Sequence, residues 1–198
     1  MVPGCGLPIV TFSEGKPQLQ FCNIFHVKFV SAPISRLKPY FCIIFWDMMQ
    51  IHIRQIEFGT PEYDEAVWLR YEVLRRPLGL EFTPEQLAEE YDQIHLAAYE
   101  PAGRLLAYLN LTPLDADIVK MRQVAVAPAQ QGRGVGKALV TESERLAAAL
   151  HFKKMSLHAR QVAVPFYERL GYAIVGEPFE EVSIPHFKME KELIKNDE

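Results

Sequence analysis

The sequence predicts a single mixed α/β domain over residues 48–198, and three observations carry that reading. Apolar residues alternate with polar ones in short runs, the period of half-buried strands. Other stretches repeat apolar residues at helical spacing and open on capping residues or proline. Glycine and proline turns separate the two kinds of segment, with no linker and no internal repeat. In order the elements read β α α β β β α β α β β, so strands and helices share one domain.

The first strand is Gln50 to Phe58, where Ile51, Ile53 and Ile56 alternate with polar residues before Gly59. Thr60 then caps a helix opened by Pro61. Acids at Glu62, Asp64 and Glu65 suit its positive end, Arg75 and Arg76 suit its negative end, and Pro77 stops it. Tyr63, Val67, Tyr71 and Leu74 supply its buried stripe. Thr83, Pro84 and Gln86 have capping-box spacing and predict a short second helix to about Tyr91. Residues 93–100 and 104–114 form a hairpin across the turn at Pro101 to Gly103. A strand from Asp117 runs into a glycine loop, and beyond it Val135, Leu139, Leu146 and Leu150 recur at helical spacing. Residues 153–159 make the next strand, a helix from about Val162 tolerates Pro165 in its first turn and stops at Gly171, and residues 172–178 and 186–193 are the last two strands.

A net charge of −4 and a pI near 5.9 argue against a general nucleic-acid binder or a protein held on anionic lipid, and favour small-molecule work. All the cysteines, Cys5, Cys22 and Cys42, lie in the first 47 residues, which suits a cytoplasmic location and fits no zinc spacing, so no structural metal is expected. Residues 1–47 are aromatic-rich, poor in acids and without sustained period. They resemble no signal peptide, and nothing in them is long enough to span a bilayer. Two readings stand for this segment: an artefact of an upstream start or added leader, or a genuine extension packed on the domain.

The chemistry concentrates in Gln123–Val140, QVAVAPAQQGRGVGKALV, where Gly132, Gly134 and Gly136 fall on alternate positions at a strand-to-helix junction. Such glycines let successive N–H groups, from about Arg133 to Lys137, converge on an anion at the positive end of the following helix. A Walker A loop needs four residues between its first glycine and a GK pair followed by Ser or Thr; here only three intervene and Ala138 follows Lys137. The dinucleotide fingerprint needs GxGxxG on an early strand, and here the spacing is GxGxG late in the chain. An ordinary tight turn is the plain alternative.

Gln131-Gly132-Arg133-Gly134-Val135-Gly136 resembles the Q/RxxGxG/A motif of the GCN5-related N-acetyltransferases, the GNAT superfamily. His158–Tyr172, HARQVAVPFYERLGY, resembles that family's segment ending in FYEKLGF. The resemblance covers about 150 residues, roughly one domain in size. It implies one mixed, mostly antiparallel central sheet flanked by helices, the acyl-CoA N-acyltransferase fold, with acetyl-CoA as cosubstrate. Val124, Ala125 and Val126 would then offer strand-like bonds to the pantetheine arm, Gln131–Lys137 would hold the pyrophosphate, and Arg160 would either bind the cofactor arm or face an acidic acceptor. A homodimer is a candidate assembly on the same resemblance.

Acetyl transfer to an amine needs a neutral nucleophile, a polarised thioester carbonyl and a proton for the leaving thiolate. No covalent intermediate on the enzyme is required, and a domain without cysteine argues against one on a thiol. Tyr167 matches the family's tyrosine general acid; the competing reading is a core aromatic. The family's usual glutamate on the strand before the loop is missing, since residues 118–127 hold no acid. His95 and His186 are the preferred substitutes as base, with His158 behind them, although each also reads as a strand residue with satisfied hydrogen bonds. Arg70 reads as a solvated charge unless it faces the cleft with Arg160. The expected acceptor is a primary amine of a small molecule or a protein. A degenerate GNAT domain that binds CoA as sensor or partner subunit, and a nucleotide-binding module, are the rival readings.

Overall fold

The computed structural model describes residues 10–13, 16–19 and 51–193. The chain falls into two units, Met1–Cys42 and Ile43–Glu198. In the first, β1 (Val10–Ser13) pairs antiparallel with β2 (Lys16–Leu19). The rest of residues 1–47, with both readings made of them, lies outside the described residues.

In the second unit the sequence signals become β3 (His52–Ile56), α1 (Pro61–Arg70), α2 (Pro84–Ala88), β4 (Ile94–Tyr99), β5 (Leu105–Pro113) and β6 (Ile118–Val126). After them come α3 (Val135–Ala149), β7 (Lys154–Arg160), α4 (Val164–Glu168), β8 (Ala173–Ile174), β9 (Phe179–Glu181) and β10 (Ile184–Glu192). The Thr60 hydroxyl accepts the Tyr63 N–H at 3.4 Å to cap α1. The capping box at α2 is reciprocal, Gln86 N–H to Thr83 and Thr83 N–H to the Gln86 side chain, both at 3.3 Å.

The expected strand 172–178 keeps only Ala173–Ile174 and the second helix stops at Ala88 rather than about Tyr91; two larger departures concern the path of the chain. The first helix passes Pro77: a π turn, Tyr71–Arg75, and a 3₁₀ turn, Arg76–Leu78, carry the chain to Gly79 at φ 65°. Proline lacks only an N–H that the start of a new 3₁₀ turn leaves free, so it bends the path here rather than ending it. The second departure is β9, which pairs with β10 across a two-residue turn at Val182 and Ser183, φ 49° and 58°. Two positive-φ positions are what a tight hairpin demands, but Val-Ser carries none of the Asn-Gly chemistry that announces one.

The strands form one eight-stranded sheet in the order β3-β4-β5-β6-β7-β10-β8, with β9 on β10. Every pairing is antiparallel except β6 with β7. This is the mixed, mostly antiparallel sheet flanked by helices that the resemblance implies. Alternation along the strands gives each face its own core. Leu96, Leu109, Leu111, Val119, Met121, Met155 and Leu157 face α3, where Val135, Leu139 and Val140 meet them. Ala97, Tyr99, Leu105 and Tyr108 face α1, against Tyr63 and Ala66. Among the described residues no helix is long and apolar enough to cross a bilayer.

Candidate functional site

The site begins where two strands part. The parallel ladder of β6 and β7 stops at Met121↔Leu157, although β6 continues to Val126 and β7 to Arg160. On its other side β6 stays paired with β5 as far as Val126↔Ala107, through a register shift opposite Tyr108 to Asn110. That shift coincides with Gln123 at φ 54°, a left-handed residue of the kind that lets a bulge re-aim the strand beyond it. Val124 to Val126 therefore present a strand edge that β7 does not cover.

The loop after β6 is tied down before it opens. The Gln131 side-chain N–H donates to Val126 C=O at 3.1 Å, and Gln130 N–H closes a turn on Ala127 C=O at 2.8 Å. Gly134 takes φ 86° as the N-cap of α3, and a Cβ there would meet nothing within 4 Å. Its glycine thus serves the backbone conformation and leaves the space above it open. Gly136 is glycine for a different reason: its Cβ would lie 3.3 Å from Val126 Cγ2 and 3.6 Å from the Phe166 ring. The first intrahelical bond is Ala138 N–H to Gly134 C=O, so the N–H groups of Val135, Gly136 and Lys137 precede it. No side chain caps this end and no acid occupies its first turn.

Gly136 and Lys137, with Gly132 and Gly134 before them, border a cavity of about 800 Å³. One wall is Val124 and Val126 with the glycine loop, the opposite wall is Phe166, Tyr167 and Arg169, and Val73 of the π turn reaches in as well. Tyr167 is buried and packs edge-on against Phe166 and Tyr172. Burial pushes its phenol well above the ordinary tyrosine range, so it stays protonated at neutral pH.

The structure brings some of the sequence-predicted residues to this cavity and leaves others away from it. Val124, Val126, Gln131, Gly132, Gly134, Gly136, Lys137 and Tyr167 line it. Ala125 and Val135 are buried in packing, and Arg133 is exposed beside it with its guanidinium on Gln130 Oε1 at 3.3 Å. Arg160 points to the other face of the sheet, where Nη2 donates to Leu74 C=O at 3.0 Å. Val73 carries no sequence signal beyond lying next to the stripe residue Leu74, and Arg169 none beyond lying two residues after Tyr167 in the same motif segment.

The histidines separate sharply. His95 is buried, its Nε2–H donating to Glu90 C=O at 3.0 Å and its Nδ1 accepting from Tyr108 OH at 2.6 Å. A carbonyl can only accept, which fixes that tautomer. Burial, then the nearby Arg70 charge, outweigh Glu90 and hold His95 below the usual histidine value. With both nitrogens engaged it has no lone pair for a substrate proton. His186, also buried, donates Nδ1–H to Ile184 C=O at 2.8 Å and stacks on Phe179, and Nε2 has no protein partner among the described residues. His158 holds Glu181 Oε2 at 3.0 Å through Nδ1, with Lys120 Nζ 3.3 Å from Nε2.

Arg70 corrects the solvated reading. It is fully buried, and Nη1 lies 2.8 Å from both carboxylate oxygens of Glu90, which also accepts from Tyr63 OH at 2.7 Å. Its guanidinium lies over the rings of Tyr108 and Phe82 at 4.9 and 5.1 Å. A lone arginine in a helix sequence gives no hint of such a partner twenty residues away. Among the described residues no group of three His, Cys, Asp or Glu side chains stands close enough to hold a metal ion.

The family model for the acetyltransferase (GNAT) domain matches residues 71–193. The chain is 28% identical over 130 residues to the uncharacterized protein YyaT of Bacillus subtilis, covering 62% of this chain and 87% of that one. It is 51% identical over 84 residues to a mycothiol acetyltransferase of Nocardia farcinica, covering 42% of this chain and 27% of that protein. Its fold resembles that of a GNAT family acetyltransferase from Elizabethkingia anophelis with acetyl-CoA bound, at a TM-score of 0.58 and 20% identity, over 73% of this chain and 99% of that one. With the family model spanning more than half of the sequence, from the π turn to the end of β10, the chain belongs to the GNAT acetyltransferase family.

Proposed function

We propose that this chain transfers an acetyl group from acetyl-CoA directly to a primary amine of a small molecule or a protein. One observation carries the reading: the open strand edge of Val124–Val126, the uncapped N-terminus of α3 and the Tyr167 phenol border the same cavity. The edge supplies strand-like bonds to a pantetheine arm, and the N–H groups of Val135 to Lys137, with Arg133, Lys137 and Arg169 nearby, suit a pyrophosphate. A backbone N–H of Val124 to Val126 donates to the thioester oxygen as the amine nitrogen adds to the carbonyl carbon. As the C–S bond breaks, Tyr167 gives its proton to the thiolate sulfur. The amine proton leaves to water or to a histidine, and of the two preferred histidines only His186 has a nitrogen free to take it.

The absence of an acid on β6 and the occupied nitrogens of His95 favour a second reading, a domain that binds CoA without chemistry. Thermal shift of the full chain with acetyl-CoA, CoA, ATP and NAD, followed by thiol release with an amine panel, separates the two. A ligand at about a hundred times its Kd stabilises by about 2.7 kcal/mol. The expected outcome is stabilisation by both CoA forms alone, with amine-dependent thiol release. Stabilisation without release supports the binding-only reading, and stabilisation by ATP or NAD alone defeats both.

A further inference from the structure

Across the sheet from α3, the acetyl-transfer scheme leaves a concentration of positive charge unused. Arg122 is the first residue of β6 beyond the last β6–β7 pair, and it alternates with Met121, which faces α3, so it stands on the α1 side. Arg160, at the end of β7, flanks the same opening from the other strand, and its bond to Leu74 C=O ties it to the π turn. The next residue of that turn, Arg75, lies over the Phe82 ring at 4.6 Å, and the buried Arg70 lies over the same ring at 5.1 Å. Burial, then the charges of Arg70, Arg160 and Arg122, hold Arg75 below the ordinary arginine value, against only Glu181. Arg75 thus stands within reach of the charges of the other three arginines.

The acids nearby are already taken. Glu90 is claimed by Arg70 and Tyr63, and Glu181 by His158. Elsewhere four arginines have a carboxylate of their own: Arg54 with Glu62, Arg76 with Glu72, Arg104 with Glu100, Arg145 with Glu142. Among the described residues, the arginines that lack one are Arg133 and Arg169, beside the cofactor cavity, and Arg75, Arg122 and Arg160, around the opening between β6 and β7. In a chain of net charge −4 this is a local reversal of sign. Buried Arg70 is neutralised by Glu90 and adds no net charge, but among the described residues its Nε and Nη2 have no hydrogen-bond partner.

We propose that Arg75, Arg122 and Arg160 bind a carboxylate on the acceptor, so that the acceptor is a small amine that is itself anionic, of the amino-acid kind, and not a polyamine. The inference rests on the acetyl-transfer reading. It takes Arg160 as an acceptor ligand and leaves the cofactor arm to the opposite face. Planar guanidinium forks suit a planar carboxylate. The parting of β6 and β7 gives such an acceptor a route to the thioester side, because Arg122 precedes the open edge of Val124–Val126 by only two residues on the same strand.

The test uses the full chain with saturating acetyl-CoA and reads thiol release for matched sets: amino acids, their carboxamides, the decarboxylated amines, spermidine and O-phosphoethanolamine. The expected kcat/KM favours the carboxylate member of the best set by about 10- to 100-fold, the range of a charge-assisted hydrogen-bond pair. In Arg122→Gln and Arg75→Gln the carboxylate-to-carboxamide ratio falls towards one, while the KM for acetyl-CoA stays put. Equal or faster turnover of a carboxamide, a plain amine, spermidine or the phosphate ester overturns the proposal. If no amine turns over, thermal shift of the CoA-loaded chain with the same compounds decides. Stabilisation by amino acids and not by their amides, lost in Arg122→Gln, upholds the anion site, and no stabilisation by any carboxylate overturns it. No shift with acetyl-CoA alone is instead a failure of the acetyl-transfer reading.

Discussion

The two faces of the central sheet are made of opposite materials. Towards α3 the core is chiefly aliphatic, with Phe166, Tyr167 and Tyr172 among it, and backbone N–H groups gather on that side at a glycine loop. Towards α1 the sheet carries His95, Tyr108, Asn110, Arg122, His158 and Arg160, and a buried arginine is held by a buried glutamate. On the proposed reading, main-chain donors serve a ligand of fixed shape, so that side can be written with glycines and small apolar residues. Charged side chains suit discrimination between acceptors, and a buried one needs a partner of its own to stay folded.

The comparison is most exposed at Tyr167, the one polar side chain assigned chemistry on the α3 side. Tyr167→Phe keeps the ring in its contacts with Phe166 and Tyr172 and removes only the hydroxyl. The expected loss in kcat is about 10²- to 10⁴-fold, the usual range for a positioned general acid, with acetyl-CoA affinity unchanged. An unchanged kcat in steady-state assays would move the acid elsewhere and leave Tyr167 as packing.

On the α1 side the corresponding weak point is Glu90. Glu90→Gln removes the only carboxylate bonded to Arg70 among the described residues and leaves a buried cation without that counter-charge. Breaking such a pair costs about 3–5 kcal/mol, read as a lower midpoint in urea unfolding. Replacing both partners at once, Arg70→Met with Glu90→Leu, should recover much of that loss. A single substitution that costs under about 1 kcal/mol, as surface ion pairs do, would mean that Arg70 finds water after all.

A smaller effect is expected at Gly134. Alanine there must adopt φ 86°, a left-handed backbone that costs an L-residue about 1–2 kcal/mol, and its Cβ projects into the open space above the loop. Acetyl-CoA affinity should weaken by about tenfold, equivalent to about 1.4 kcal/mol. Calorimetric titration that finds the same Kd would remove the pyrophosphate from this loop and return Gly134 to an ordinary turn.

How much of this was legible follows the same division. Local rules gave the caps at Thr60 and Thr83, the hairpin at Pro101–Gly103 and the glycine loop, because each is settled by neighbours within a few residues. The cavity contacts of Val124, Gly134 and Tyr167 were reachable because two sequence motifs come with a spacing. Nothing local marks Val182 and Ser183 as a tight turn, and nothing marks Pro77 as passable. The α1 side was misread for a different reason: Arg70, Glu90, His95 and Tyr108 meet only once the sheet and helix pack, so their pairing has no period to detect.

His95 turns that packing into a pH signature that the aliphatic side lacks. Its folded value lies below the unfolded one of about 6.5, first because burial disfavours the imidazolium. As pH falls through about 6.5 the unfolded chain takes up a proton that the folded chain refuses, so stability is full above that pH and declines below it. The folded chain refuses because Nδ1 already accepts from Tyr108 OH, and protonation there would set two donors against each other. Carboxylates held below their usual range act in the same direction but lower. Glu181, raised by burial and lowered more by His158, and Glu190, lowered chiefly by Lys188, lose their contribution only as pH falls through and below about 4.5. Urea unfolding at pH 7.5 and pH 5.5 therefore isolates the histidine. Wild type should lose up to about 1 kcal/mol more than His95→Gln across that interval, since glutamine can make both hydrogen bonds without titrating. Equal losses in the two proteins would place the proton uptake on another histidine and deprive the α1 side of this distinction.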